Sequence, residues 1–182
     1  MDEKVSATTV LGQYAESCPT AFMPFMEKTL STLQTMVEYW HDDARAAAYD
    51  SLHKVVLATH SCFPPTQHVA SNGTPSITEV VELSQQTRLV LNVAMPLLSS
   101  PAEYDNSKIA VASAAGALGH LLKKLGRGAV DAVHLEAASK MAQALLHGNA
   151  VCQVCGEGGC TVVGIVCYVR LGGCWFLPSL SS

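Results

Sequence analysis

Four of the seven histidines, spread over residues 41–68, and a C-terminal cluster of cysteines are the side chains whose types and grouping could do chemistry. His41, His53, His60 and His68 follow one another at spacings of 12, 7 and 8 residues. Those spacings place them on no common helical face, whereas a metal site needs ligands converging on one ion at about 2.0–2.3 Å. They read as exposed or packing histidines. Near the C-terminus Cys152 and Cys155 form a C-x2-C pair, followed by Cys160, Cys167 and Cys174. A zinc module pairs such a knuckle with a second C-x2-C or with two spaced histidines. Neither follows here, so no metal ligand is assigned. Cys18 and Cys62 are expected to be small buried hydrophobes at helix ends. The sequence has no Walker-type phosphate loop, dinucleotide glycine fingerprint, His-Glu-x-x-His pair or Gly-x-Ser-x-Gly elbow. The expectation is a protein that is not an enzyme and carries no cofactor.

The elements that would position these residues are helical in composition. The chain has 182 residues, of which 49% are hydrophobic, enough to bury a core. Aromatics are only 6%, and alanine, leucine and valine dominate, which favours close-packed helices over aromatic-rich sandwiches. A net charge of −4 leaves no basic footprint for nucleic acid or an anionic membrane, and fits a basic partner. The N-terminus, Met1 to Lys4, lacks the apolar stretch of a secretory signal, so a reducing compartment is expected and a disulfide framework is not. The apolar run Thr161 to Val169 is shorter than the roughly 20 residues a membrane helix needs.

Residues 2–17 predict one amphipathic helix, with Ala7, Leu11, Tyr14 and Ala15 on its apolar face, ended by Cys18 before Pro19. A second helix is predicted from Pro24 to about Trp40, with Met26, Leu30, Leu33 and Val37 as its stripe. A third, capped by Asp42 or Asp43, carries Ala48, Leu52, Val55 and Thr59 inward and stops at Pro64 and Pro65. The span 64–76, with three prolines and Asn72-Gly73, reads as an exposed loop. Helices resume at 77–98 (Val80, Leu83, Thr87, Val90, Ala94, Leu97), 105–125 (Ile109, Ala112, Gly116, Leu122) and 129–147 (Val130, Val133, Ala137, Met141, Leu145). Pro96 should kink the first of these or end it early.

Helix pairs recurring at about 40 residues are the mark of HEAT and armadillo arrays. Lys4, Arg45 and Lys108 open comparable helices at offsets of 41 and 63, and the 64–76 loop accounts for the larger one. In each copy an acid precedes the base by two or three positions. Asp43 with Arg45, and Asp105 with Lys108, are therefore the candidate charged pairs of an inter-repeat ladder.

Three stretches carry a resemblance: Asp2 to Glu16, Ala21 to Glu27, and His41 to Ala48. Together they resemble the central HEAT repeats of nuclear import receptors of the importin-β (karyopherin-β) superfamily. The segment Leu145 to Gln153 is similar to a repeat end that precedes an acidic loop in that family. The resemblance implies an all-α solenoid of antiparallel helix pairs over 1–150, with an irregular Cys/Gly-rich tail over 151–182. It also implies basic cargo such as histones or ribosomal proteins, release by Ran-GTP, contact with FG nucleoporins, and shuttling between cytoplasm and nucleus. Receptors of this kind are several times longer, so the chain is expected to be a fragment without the Ran-binding repeats. The tail loses helical period where the family turns acidic, and reads as intron read-through or a shifted frame. The alternative within the same fold is a HEAT scaffold for protein assembly with no transport role.

Overall fold

A computed structural model describes residues 2–65, 83–126 and 131–147. Among them the fold is all-helical: α1 (Asp2–Ser17), α2 (Pro19–Phe22), a 3-10 turn (Met23–Phe25), α3 (Met26–Val37), α4 (Asp42–Cys62), α5 (Gln85–Ser99), α6 (Pro101–Tyr104), α7 (Lys108–Leu125) and α8 (Ala132–His147). Most of the expected 64–76 loop, the histidine His68, the cysteines from Cys152 onward and the whole 151–182 tail lie outside the described residues.

Proline and serine chemistry explains most boundaries. Cys18, pushed out of the α region by Pro19, separates α1 from α2. The helix expected from Pro24 instead starts at Pro19, tightens into a 3-10 turn around Pro24, and resumes at Met26. Pro24 has no N–H to donate, so the chain takes the shorter-range bonds of a 3-10 turn there, while fully buried Phe22 anchors it. Ser84 starts α5 by accepting from the Thr87 N–H at 3.2 Å. That helix runs on to Ser99, past Pro96. Pro96 and Asn92, whose carbonyl loses its partner, are both exposed, so water can satisfy the missing bond. The helix expected from residue 105 begins at Lys108, where Ser107 accepts from the Ala110 N–H, and the preceding residues Pro101–Tyr104 form the separate α6. Asp131 likewise caps α8 by accepting from the His134 N–H at 3.0 Å. Gly126 closes α7 at φ +76°, a left-handed conformation that side chains disfavour.

Helix α4 is the centre of the assembly. It packs most extensively against α1 on one side and α7 on the other, and also against α3 and α5; α7 in turn packs on α8. Its burial therefore exceeds one stripe. Ala48, Leu52, Val55 and Thr59 are inside as expected, and so are Ala44, Tyr49, Ser51, His53, Val56 and Ala58.

The α1–α4 and α4–α7 contacts are built from small residues. Ser51 Oγ on α4 donates to the Thr8 carbonyl on α1 at 2.9 Å, and Ser113 Oγ on α7 donates to the Ala46 carbonyl on α4 at 2.7 Å. Such bonds require close backbones. Gly12 faces Ser51 so tightly that a Cβ there would lie 2.6 Å from Ser51 Oγ and 3.0 Å from its Cα. The buried side of α1 is accordingly Thr8, Gly12 and Ala15, while Ala7 and Tyr14, expected inside, are exposed. On α7 Ala110, Ala114, Ala117, Leu118 and Leu121 turn inward, Ala112 and Gly116 are half-buried, and Ile109 is exposed. Val133 on α8 is also exposed, with Ala138, Met141, Ala142 and Leu145 carrying the contact. The close approach at Gly12 explains the shift on α1, where small residues let two backbones meet, while Ala15, Leu122, Met141 and Leu145 lie inside as expected.

Candidate functional site

The densest polar arrangement lies where the turn after α3 meets the turn before α7. Arg45, in the first turns of α4, reaches across to Asp105 with two hydrogen bonds. Nε donates to Oδ2 at 2.8 Å and Nη2 to Oδ1 at 2.9 Å. Nη1 donates to the Tyr39 carbonyl at 2.9 Å, and Nη2 also donates to Asp42 Oδ1 at 2.9 Å. A planar guanidinium matches a carboxylate in this forked way, which a lysine could not do. Only 16% of the Arg45 side chain and 9% of the Asp105 side chain are exposed, so the pair is largely withdrawn from water.

The electrostatics follow from that burial. Burial by itself pushes the Asp105 carboxyl up. The Arg45 hydrogen bonds, the Ser107 N–H at 2.8 Å and the Arg45 charge outweigh it and hold the group below the usual carboxylate range. Asp105, chiefly by hydrogen bonding, raises the already high Arg45 pKa further. Beneath the pair, burial pushes the Tyr49 phenol up. One side chain thus ties together the 38–41 turn, the start of α4 and the α6–α7 turn.

Arg45 and Asp105, placed by spacing in two separate pairs, meet each other. Asp43 lies by His41 Nδ1 at 3.8 Å, and the helical partner of Arg45 is Asp42. Residues two apart on a helix point in different directions, whereas residues three apart are neighbours, so Asp42 was the acid that spacing could have identified. Lys108 is exposed at the start of α7, beside the turn that carries Asp105. The Arg45–Asp105 contact spans 60 residues and has no local signal.

Beside this pair opens a cleft of ≈ 730 Å³, walled by Tyr39, Trp40 and Tyr104 and bordered by Glu38, Asp42 and Asp105. Trp40 is 70% exposed and Tyr104 81% exposed. Lys4 Nζ sits 4.5 Å from the Tyr39 ring centroid and donates to its hydroxyl at 3.2 Å, which lowers the Tyr39 pKa. Periodicity marks Trp40 only as a helix end; the signal the sequence carries here is the aromatic pair Tyr39-Trp40 beside Asp42 and Asp43.

The histidines and cysteines fall elsewhere. His53 is buried on α4 and stacks on exposed His120 of α7, ring centroids 5.1 Å apart. Burial, then the charge of His120 and Lys54, lowers the His53 pKa to about 4 against the opposing pull of Asp50. His60 is half-buried two turns further along α4. Cys18 is exposed and Cys62 half-exposed, contrary to the expected burial. Each sits at a proline-bounded helix end, where the chain turns outward.

Among the described residues no helix is long and apolar enough to cross a membrane. Mouse importin-4 is similar to this chain over 102 residues at 26% identity, an alignment that covers 50% of the chain and 9% of importin-4. The chain therefore spans only a small part of that relative's length. No protein-family model and no solved structure matches.

Proposed function

We propose that this chain is part of a HEAT-type α-solenoid receptor that binds basic protein segments for Ran-dependent transport into the nucleus. The observation that carries the reading is the succession α1, α4, α7. These helices contain Lys4, Arg45 and Lys108 at the offsets of 41 and 63, and each packs on the next. A solenoid unit buries its apolar face only against its neighbours, and this order of contacts is what stacking units produce. In this reading the Arg45–Asp105 fork is a rung of the charged ladder between units, with Asp43 and Lys108 flanking it. The similarity to importin-4 supports the receptor class, and the acidic net charge suits cargo such as histones or ribosomal proteins. The protein performs no chemistry, shuttles between cytoplasm and nucleus, and meets Ran and FG nucleoporins through the longer receptor. Residues 151–182 are proposed not to be native coding sequence; an uninterrupted exon through Ser182 would refute that.

Two measurements test the function. Fluorescence anisotropy of a labelled lysine-rich peptide should report binding to the chain that weakens as salt rises. In the full-length product, Ran-GTP should displace a basic cargo. Cargo that stays bound in the presence of Ran-GTP would favour a HEAT scaffold without transport role, which has the same repeats and different partners.

A further inference from the structure

We propose that the cleft between the 38–41 turn and the 100–107 turn seats a lysine or arginine side chain of a basic protein segment, held by the Trp40 ring and the Glu38 carboxylate. The choice of a basic protein segment rests on the function proposed above. The location does not: it is the edge of the helix stack, where turns meet, rather than the face of the long helices.

Three observations converge on this occupant. The first is the exposed aromatic surface. Trp40 and Tyr104 are each more than two-thirds exposed, on a chain with only 6% aromatics. Tryptophan is the strongest of the aromatic faces for a cation. The second is charge. Of the lining groups Glu38, Asp42 and Asp105 are acidic and Arg45 is basic. The lining groups therefore leave two carboxylates in excess. Asp42 and Asp105 are engaged by Arg45, which leaves exposed Glu38 as the carboxylate best placed for an incoming cation. The third is a precedent within the molecule. The neighbouring Tyr39 ring already carries a lysine ammonium, that of Lys4, at 4.5 Å. The adjacent Trp40 ring offers the same surface to a lysine from outside. The cleft, ≈ 730 Å³ and open, has room for long side chains from an extended segment, and its sign disfavours a phosphate or a nucleic acid.

The test uses the whole 182-residue chain and a labelled peptide of alternating lysine and glycine. Controls are the same peptide with glutamine for lysine, and a phenylalanine–glycine peptide. Trp40→Ala should weaken the lysine peptide roughly two- to fivefold. Glu38→Gln should weaken it by about twofold and flatten the salt dependence. Trp40→Ala with Glu38→Lys should weaken it about tenfold or more. Both positions are exposed and support no core, and unchanged helical circular dichroism checks that the variants fold. Tyr104→Ala provides a second lesion on the opposite wall. Binding of the lysine peptide that is identical in all four variants overturns this site and leaves the receptor reading standing. No binding by the parent chain sinks the receptor reading itself. Trp40-dependent binding of the phenylalanine–glycine peptide, or a dimer dispersed by Trp40→Ala, overturns the cationic occupant.

Discussion

Replacing Arg45 by alanine removes two hydrogen bonds from Asp105, one from Asp42 and one from the Tyr39 carbonyl. Asp105, whose side chain is only 9% exposed in the parent, then keeps the Ser107 N–H at 2.8 Å. Breaking a buried pair by deleting one partner costs about 3–5 kcal/mol, because a charge stays behind without compensation. Arg45 retains some contact with water, so the loss expected here is roughly 2–4 kcal/mol. Arg45→Lys keeps the charge but not the fork, and should lose about half as much. Urea unfolding followed by far-UV circular dichroism at neutral pH measures both. The pH dependence separates this mechanism from mere loss of packing. In the parent chain Asp105 titrates below its unfolded value, so its stabilisation is complete above about pH 4 and disappears as pH falls through the native pKa. In Arg45→Ala burial dominates and raises the Asp105 pKa, so acidification towards pH 4 should narrow the gap between variant and parent. Converting both residues to leucine should recover much of the loss. A change under about 0.5 kcal/mol for Arg45→Ala, or strict additivity of Arg45→Ala and Asp105→Ala, would refute the reasoning, since contacting partners must couple.

Three further perturbations have defined outcomes. Gly12→Ala should destabilise by about 1–2 kcal/mol net, since its Cβ would meet Ser51 backbone and side chain, whereas Gly116→Ala, with nothing within 4 Å, should stabilise by about 0.5–1 kcal/mol. Equal effects in thermal melts would show that the α1–α4 approach is looser than described. His53, with a native pKa of about 4, leaves the unfolded chain to bind the proton first. Stability should therefore be full above about pH 6.5 and fall by up to about 3 kcal/mol towards pH 4. His53→Leu should flatten denaturation midpoints over that window, and an unchanged slope would exonerate His53. Ser84→Ala should cost about 1 kcal/mol by removing the acceptor for the Thr87 N–H, with earlier exchange of the first amides of α5 as its signature.

Local chemistry was legible in the residues. Helix periodicity and the proline stops at Cys18 and after Cys62 mark elements whose forces act within a few turns. So was the inward stripe of α4; in α5 Thr87, Val90 and Ala94 lie inside as expected, while Leu97 is half-buried and Leu91, Met95 and Leu98 complete the buried face. The tertiary structure decided the rest. Gly12, Thr8 and Ser51 form an interface only because two backbones come close, and periodicity weights such residues little. The partner of Arg45 was decided by packing too. A charge takes the carboxylate that the fold brings within hydrogen-bond reach, here Asp105 from 60 positions away, and neither composition nor spacing encodes that distance.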